Sequence, residues 1–187
     1  TAGYSTLLRV PTLGGTPQKV LFDIDSALGF SPDAKRMAFI RGNPPEHESY
    51  LMIADVEGTQ IRKLATLKQP LRFDDVAACW APDGKTIAIS QSANLASQIA
   101  FFDSTSGVPV AVSSKRFWFP SGIGWLPDGR AVIVTSADPD STTKNSQIWL
   151  LPFPDGAARR VTNDLNDYRG VSVTADGEKM ATRQVRS

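Results

Sequence analysis

Paired aspartates are the first candidates for binding chemistry in this sequence. Closely spaced carboxylates around the mouth of a channel would suit a cation or a basic partner. The commoner role of loop aspartates is to cap turns and accept backbone N–H bonds, and the sequence alone leaves both interpretations open. The pairs are Asp23 and Asp25, Asp74 and Asp75, and Asp164 and Asp167.

A further pair, Asp138 and Asp140, lies in the phrase Asp-Pro-Asp-Ser. It resembles part of a calcium-binding loop, and so does the stretch at 163–167. Both lack the complete ligand spacing and the terminal bidentate Glu that such a loop needs. We therefore predict no metal site, and Asp138 and Asp140 remain candidate contacts for another ligand.

The segment Lys115–Pro120 places aromatic beside basic residues, in the order Lys-Arg-Phe-Trp-Phe-Pro. Trp118 could form a platform for a sugar, a peptide or a proline-rich segment. The alternative is an outer strand that turns inward and packs alternate aromatics between sheets. Tyr168 and Arg169 pose the same choice in a later loop.

Neither the single histidine nor the single cysteine indicates catalysis. His47 stands in a Pro-rich loop between two glutamates, and no Gly-x-Ser-x-Gly elbow supplies a nucleophile. We expect a solvated loop histidine that could contact a ligand. Cys79 is expected to be a small buried apolar residue rather than a reactive thiol. The chain is thus predicted not to be an enzyme and to need no cofactor.

Composition excludes several broad classes of protein. The 187 residues carry 20 Lys and Arg against 19 Asp and Glu, and this net charge of +1 argues against a general nucleic-acid binder. One cysteine rules out an internal disulfide framework and thiolate zinc clusters. No apolar run approaches the roughly 18 residues of a membrane span, so we expect no membrane insertion. The sequence begins with Thr1, and we expect it to be part of a larger protein.

Two phrases recur along the chain with a common spacing, which indicates a repeat protein. The first has the approximate form aromatic-x-Pro-Asp-Gly-basic, and its four aspartates are 50, 45 and 48 residues apart. The second is an apolar strand with a glycine turn, and its glycines are 49 and 49 residues apart. Copies of the first phrase occupy 30–35, 80–85, 125–130 and 173–178, and the glycines of the second are Gly58, Gly107 and Gly156.

The Pro-Asp-Gly phrase is suited to a tight hairpin, because Pro presets φ, Asp caps locally and Gly accepts a left-handed backbone. Ala34 replaces the glycine in the first copy, and a positive φ there would carry strain of about 1 kcal/mol. Each unit contains four short predicted strands. In the first complete unit they span 27–31, 35–41, 50–55 and 60–66.

The strands are apolar at consecutive positions, as in Ile87–Ile89 and Ala131–Thr135, so both faces must be buried. The first strand of each unit is rich in Gly and Ala, as a crowded central axis requires. No segment has a convincing helical period. The pattern predicts an all-β fold: a β-propeller of four-stranded antiparallel blades, with three full blades and two complementary half-blades. The predicted divisions are a half-blade at 1–25, blades at about 26–72, 73–117 and 118–166, and a half-blade at 167–187.

The two end segments are complementary, since the first supplies third and fourth strands and the last supplies first and second strands. They could pair within one chain to give four blades, or pair between two chains to give an eight-bladed homodimer. They could also belong to a larger propeller. Unpaired edges and uncovered apolar faces promote association, so we favour part of a larger propeller that closes here by self-association.

The connections of a four-stranded meander alternate between two rims. The short Pro-Asp and Gly turns share one rim, and the longer and more varied loops share the other. We expect a protein or small-molecule ligand on the loop rim, because varied loops on a rigid scaffold are where binding usually occurs. The candidate contacts there are Asp23, Asp25, His47, Asp74, Asp75, Trp118, Asp138, Asp140, Asp164, Asp167, Tyr168 and Arg169.

The phrase Phe/Trp-Ser-Pro-Asp-Gly-Lys, followed by an Ile-Ala strand and later by Ile-Trp, resembles the WD-repeat-like propeller repeats of TolB and its relatives. Leu8–Gly15, Ile148–Pro152 and Thr162–Gly170 resemble the propeller attached to some bacterial receptor-type serine/threonine kinases. The chain lacks a kinase's own Gly-rich loop, His-Arg-Asp and Asp-Phe-Gly phrases. The resemblance implies a bacterial sensor module in the periplasm or outside the cell.

Our first functional hypothesis is a non-catalytic binding or sensing module, because the repeats come without a catalytic constellation. One alternative is a propeller domain that gates substrate entry in a prolyl-oligopeptidase-like peptidase or a polysaccharide-degrading enzyme. The other is an envelope scaffolding protein of TolB type. A resemblance in fold does not establish the ligand.

Overall fold

The computed structural model describes residues 5–186, in which antiparallel strands form five sheets that follow one another along the chain. Residues 1–4 of the first predicted half-blade and residue 187 of the last lie outside the described residues. The described part contains no α-helix, and one 3-10 helix spans Pro44–Glu46. The chain therefore has the all-β character that its repeats predict.

Two of the five sheets are two-stranded and stand at the ends of the chain. Sheet 1 consists of β1 (Thr6–Arg9) and β2 (Gln18–Phe22). Sheet 5 consists of β16 (Asp167–Val173) and β17 (Met180–Val185). Within residues 5–186, β1 pairs only with β2 and β17 only with β16, so sheets 1 and 5 are not joined to each other.

The three central sheets repeat one antiparallel order. Sheet 2 contains β3 (Gly29–Phe30), β4 (Arg36–Asn43), β5 (Glu48–Asp55) and β6 (Arg62–Lys68). Sheet 3 contains β7 (Arg72–Phe73), β8 (Cys79–Trp80), β9 (Thr86–Ala93), β10 (Ala96–Asp103) and β11 (Pro109–Val112). Sheet 4 contains β12 (Trp118–Trp125), β13 (Ala131–Ala137), β14 (Gln147–Pro152) and β15 (Arg159–Arg160).

Sheet 3 differs from the predicted pattern in its first strand. β7 and β8 both pair with β9, so the strand is interrupted over residues 74–78. β7 begins at Arg72, which the sequence assigned to the preceding unit. The cause is local: the carboxylate of Asp74 turns towards β9 and β10, where it accepts hydroxyl hydrogen bonds.

The three Pro-Asp turns and the related Ala-Asp turn at 174–178 have one hydrogen-bonding pattern. In the first, the N–H of Ala34 donates to the oxygen of Ser31 at 2.8 Å, and the N–H of Lys35 donates to the carboxylate of Asp33 at 3.1 Å. Ala34 has a φ of 54°, and the glycines at the same place in the other copies have φ of 70°, 71° and 74°. The sequence therefore locates these hairpins correctly, and the structure shows that Ala34 keeps the positive φ of the glycines it replaces.

The core lies between successive sheets, as the consecutive apolar residues of the middle strands predict. In β9, Ile87 and Ile89 pack towards sheet 2, whereas Ala88 packs towards sheet 4. In β4, Met37 and Phe39 pack towards sheet 1, where they meet Leu21. Both faces of these middle strands are therefore buried, which the stacking of sheets requires.

The first strands of the sheets approach one another too closely for ordinary side chains. A Cβ atom added at Gly29 of β3 would lie 1.7 Å from the oxygen of Ala78, directly before β8. A Cβ atom added at Gly122 of β12 would lie 2.9 Å from the Cα of Gly170 in β16. The small residues of these strands are thus a packing requirement, as the sequence indicates.

The antiparallel order places the connections of the sheets at two rims. The turn rim carries the turns at Gly58, Gly107 and Gly156 and four repeated Asp turns, which we call the Pro-Asp turns although the last has Ala in place of Pro (31–35, 81–85, 126–130 and 174–178). The loop rim carries the β4–β5, β9–β10 and β13–β14 connections and the segments that lead from one sheet to the next.

Candidate functional site

Five surface cavities lie along the loop rim. Each is lined by inter-sheet segments, by the β4–β5, β9–β10 or β13–β14 connections, or by both. None of the five includes a residue of a Pro-Asp turn. The predicted rim residues accordingly fall into several local groups.

Asp74 is held by hydroxyl groups from two strands. Its carboxylate accepts hydrogen bonds from Ser92 at 2.6 Å, from Ser97 at 2.9 Å and from Ser90. Arg72 lies beside this group and donates to the Ser92 hydroxyl at 3.4 Å. Asp74 is half-buried at the wall of a cavity of about 160 Å³, which we call the Asp74 cavity.

Asp75 differs from its neighbour because it is exposed and makes no hydrogen bond or ion pair within the described residues. It lines the Asp74 cavity and two more cavities, of about 260 and 560 Å³. Asp25 lines these two further cavities, and His47 lines the smaller one. Fold geometry therefore brings three predicted residues, Asp25, His47 and Asp75, to one region of the loop rim.

Asp23 and Asp25 make contacts that stabilise the entry to sheet 2. Asp25 accepts the N–H of Gly42 at 2.7 Å. The guanidinium of Arg41 lies 3.3 Å from the Asp23 carboxylate and donates to its main-chain oxygen at 2.8 Å. These are the local contacts expected of loop aspartates, and Asp23 takes a left-handed backbone with a φ of 63°.

His47 ends the short 3-10 helix with a φ of 55°, and its side chain is exposed. Within the described residues its imidazole makes no hydrogen bond, so no second side chain positions it for proton transfer. His47 lines the 260 Å³ cavity, so its predicted role as a ligand contact remains a prediction.

Asp138 is the centre of an ion-pair cluster at the outer side of sheet 4. Its carboxylate lies 2.6 Å from the ammonium of Lys115 and 3.1 Å from the guanidinium of Arg160. Both cations also lie over the ring of Trp149, at 5.0 and 4.9 Å from its centroid. Burial alone would raise the pKa of Asp138, but the bonds from Lys115, from the Asp140 N–H and from Arg160 outweigh it and hold that pKa below its usual value.

Asp140 stands outside this cluster. Its side chain is 88 % exposed and lies 3.7 Å from the Lys115 ammonium. Asp138 and Asp140 therefore do not form a shared ligand set, since the inner carboxylate is saturated by cations. Within residues 5–186 no three His, Cys, Asp or Glu side chains form a group that could hold a metal ion.

Asp164 and Asp167 hold the loop that leads into sheet 5. The hydroxyl of Tyr168 donates to Asp164 at 2.7 Å, and this bond lowers the pKa of Asp164 and raises that of Tyr168. Asp167 accepts the N–H of Ser146 at 2.9 Å and pairs with the Arg169 guanidinium at 3.0 Å. Burial opposes ionisation of Asp167, yet these bonds keep its pKa below the usual value.

Trp118 and Phe119 begin the first strand of sheet 4, not an outer strand as the alternative interpretation had it. The outer strand β11 ends at Val112, and Phe117 then bridges to Ser97 before β12 starts. Phe117 is fully buried and packs edge-on against Trp149 at 5.9 Å. A bulge between Trp118 and Gly122 and a φ of 54° at Phe119 turn the next two aromatic side chains towards the loop rim.

A cavity of about 200 Å³, which we call the Trp118 cavity, lies where β12 meets the β13–β14 connection. Trp118 stacks on Phe119 with the ring centroids 5.7 Å apart, and the Lys144 ammonium lies 3.7 Å from the Trp118 ring centroid. Phe119 is 61 % exposed. The residues lining the cavity are Trp118, Phe119, Ala137, Lys144, Ser146 and Arg169.

Three features of the rim were not singled out by sequence reasoning: Leu95, Lys144 and the serines around Asp74. Leu95 follows Asn94 in a two-residue hairpin turn, a place where glycine is usual. An Asn-Leu pair between two strands was therefore an available signal for an exposed apolar side chain. The serines had no such signal, because they meet Asp74 only after β10 has paired with β9 and β9 with β7.

Cys79 in β8 is half-buried and contributes to the contact between sheets 3 and 4. Burial raises the pKa of its thiol, which opposes reactivity as a thiolate. Among residues 5–186, no helix has the length and apolar character needed to cross a bilayer.

Solved structures similar to this chain are β-propeller proteins. TolB from Acinetobacter baumannii superimposes with a TM-score of 0.70 at 26 % identity, over 95 % of this chain and 42 % of TolB. A protein of Agrobacterium tumefaciens described as TolB gives a TM-score of 0.70 at 19 % identity, over 97 % of this chain and 66 % of that protein. The chain therefore has a TolB-like β-propeller fold, and it spans less than two thirds of either protein.

The β-propeller domain of the Trilobed protease from Pyrococcus furiosus is also similar, with a TM-score of 0.57 at 16 % identity over 88 % of this chain and 51 % of that domain's chain. Likenesses at this identity show the fold alone. No protein-family model matches the sequence, and no curated protein matches it either.

Proposed function

We propose that this chain is a non-catalytic binding module that presents its loop rim to a protein or small ligand. One observation carries the proposal: the five cavities described above are all formed by loop-rim segments, and none of them involves a Pro-Asp turn. Varied segments on a rigid sheet scaffold are the usual place for recognition. Sensing of a ligand for a receptor-type kinase, outside the cytoplasm, is the biological setting that the sequence resemblance suggests.

Hydrogen–deuterium exchange tests which rim binds. Peptide ligands are first selected from a random heptapeptide library displayed on phage, and exchange of the chain is then measured with and without the selected peptide. We expect slower exchange in the segments 72–76, 92–97, 115–121 and 138–146 and unchanged exchange in the Pro-Asp turns. Protection confined to the turn rim would contradict the proposal.

The two end sheets support a second part of the proposal, that they are halves of one blade. Sheet 1 packs on β4 and β5 through Leu7, Val20 and Leu21, whereas β16 of sheet 5 approaches β12 at Gly122. The first arrangement suits outer strands and the second suits inner strands. We therefore propose three full blades and two half-blades, in which β17 of one copy pairs with β1 of another to close an eight-bladed dimer.

Sedimentation velocity at increasing protein concentration tests this pairing. The 20.2 kDa chain should sediment as a dimer, and Val185→Lys on the exposed edge of β17 should shift it towards monomer, because charged edge residues oppose strand pairing. Lys85→Glu, at an exposed turn-rim position, is the control and should leave the dimer intact. A compact monomer at every concentration would exclude closure by a second copy.

A further inference from the structure

Three apolar side chains form a continuous patch on the loop rim between sheets 3 and 4. Leu95 is 71 % exposed, Phe119 is 61 % exposed and Trp118 is half-buried. Every two of them share a cavity: Leu95 and Phe119 line the Asp74 cavity, and Trp118 and Phe119 line the Trp118 cavity. Leu95 and Trp118 line a third cavity of about 460 Å³. We call these three residues the apolar patch.

The backbone at the apolar patch is costly for side chains of this size. Asn94 and Leu95 have φ of 52° and 69°, and Phe119 has a φ of 54°. Large residues seldom adopt this conformation, and glycine would adopt it without strain. Because Leu95 and Phe119 are exposed, core packing does not explain why they occupy these positions.

Positive charge borders the apolar patch without carboxylate partners. Lys144 and Arg116 are exposed, and neither forms an ion pair within the described residues. Lys115 and Arg169, by contrast, pair with Asp138 and Asp167. No carboxylate lines the Trp118 cavity, whereas Asp74 and Asp75 line the Asp74 cavity and Asp140 lines the 460 Å³ cavity. A partner should therefore bring its negative charge to the Trp118 end of the patch, beside Lys144.

The geometry also argues against a sugar on Trp118. Sugars stack on an open aromatic face, and here the Lys144 ammonium already lies 3.7 Å from the ring centroid while Phe119 stacks beside it. An ammonium in that position keeps N–H donors directed to solvent, where a carboxylate can accept them.

We propose that the apolar patch docks a segment of a partner protein in which a large apolar side chain is flanked by Asp or Glu. The apolar side chain contacts Leu95, Trp118 and Phe119, and the carboxylates pair with Arg116 and Lys144. This inference rests on the proposed binding function and names the chemistry of its partner.

The peptides selected from the random heptapeptide library provide the test. We expect the selected sequences to combine one or more large apolar residues with at least two acidic residues. Arg116→Glu combined with Lys144→Glu should weaken their binding by about tenfold or more, because two attractions become repulsions. Lys35→Glu combined with Lys85→Glu changes the net charge equally on the turn rim and should leave affinity unchanged.

A second pair of variants separates binding from folding. Leu95→Gly and Phe119→Gly place glycine at left-handed positions, so the fold should be retained while the apolar contact is lost. Leu13→Gly removes a fully exposed leucine outside the patch and is the matched control. Binding should fall by about tenfold or more in the first two variants only.

Tryptophan fluorescence gives an independent measurement. Trp80, Trp125 and Trp149 are buried, so acrylamide quenching in the free protein reports mainly on Trp118, the remaining one of four. A bound peptide without tryptophan should reduce this quenching. Raising salt from about 0.1 to 1 M shortens the screening length from about 10 to 3 Å, which should release the peptide and restore the quenching.

Selected peptides that are basic, or that bind equally well to the Arg116→Glu and Lys144→Glu double variant, would overturn the inference. If such peptides still protect the loop rim in hydrogen exchange, the proposed binding function stands and only the assignment of the partner fails. If no peptide is selected, the inference fails, whereas the proposed binding function still stands for a small ligand.

Discussion

The indole N–H of Trp125 donates a 2.9 Å hydrogen bond to the main-chain oxygen of Cys79 in the preceding sheet. Trp80 makes the same bond, at 3.1 Å, to Gly29. Trp80 and Trp125 occupy the same position in successive repeats. Each bonds to the residue directly before the equivalent position of the preceding repeat, since Gly29 precedes Phe30 and Cys79 precedes Trp80. The repeated aromatic position therefore joins one sheet to the next as well as filling the core.

Trp125→Phe should separate these two contributions. The smaller phenyl ring keeps part of the packing but loses the hydrogen bond and some buried volume, so the unfolding free energy should fall by about 2 kcal/mol. Trp125→Ala removes the ring as well and should cost about 3–5 kcal/mol. Phe30→Ala is the control: Phe30 holds the same repeat position but is 55 % exposed, so urea unfolding should show little change. Equal losses for Phe30→Ala and Trp125→Ala would contradict this role.

Gly29→Ala should disrupt the packing of sheet 2 on sheet 3. The added methyl group would lie 1.7 Å from the oxygen of Ala78, and backbone must move to admit it. We expect a loss of about 3 kcal/mol or more in denaturant unfolding. Gly124→Ala is the matched control, because its methyl group would meet only Val171 and Val173 at 3.8 and 3.9 Å. A stable Gly29→Ala variant would mean that the first strands are farther apart than described.

The first Pro-Asp turn can be improved at Ala34. Its φ of 54° carries about 1 kcal/mol of strain, which glycine would relieve. Because glycine also raises the entropy of the unfolded chain, the net gain in unfolding free energy should be about 0.5 kcal/mol. Ala34→Gly should therefore raise the thermal midpoint. The reciprocal change Gly84→Ala, at a φ of 70° with 3.8 Å of clearance, should lower it by a similar free energy. The prediction is confirmed if Ala34→Gly raises the thermal midpoint while Gly84→Ala lowers it, and it is wrong if both variants shift the midpoint in the same direction.

Asp138 should contribute to stability in a pH-dependent way. Its pKa in the folded chain lies below the ordinary 3.8, so its contribution is complete above that pH and is lost as the pH falls through the folded value. Asp138→Asn should cost about 2 kcal/mol at pH 7, and the difference from the wild type should shrink in acid.

Asp140→Asn supplies the comparison for Asp138, because both carboxylates face Lys115. The Asp140 side chain is 88 % exposed, so its replacement should cost less than about 0.5 kcal/mol. Urea unfolding at pH 7 and at successively lower pH measures both variants. If the difference in unfolding free energy between Asp138→Asn and the wild type grew in acid, the assigned direction of the Asp138 pKa shift would be wrong.

Features that depend on neighbours along the chain follow from the order of the residues. Pro-Asp-Gly chemistry located the hairpins, consecutive apolar residues identified middle strands buried on both faces, and small residues marked the crowded first strands. The common spacing of two phrases then predicted stacked four-stranded units. These signals are local or periodic, so they can be read without knowing how the sheets pack.

The contacts between rim side chains become visible only in the folded chain. Asp74 reaches Ser97 across 23 residues, and Lys115 reaches Asp138 across the same separation. Such contacts depend on how one sheet is placed against the next, and a bulge of a few residues, as at Phe119, redirects a side chain from core to surface. The paired aspartates thus became separate, mostly saturated groups, whereas Leu95, Trp118 and Phe119 came together from two sheets because their strands enter the rim side by side.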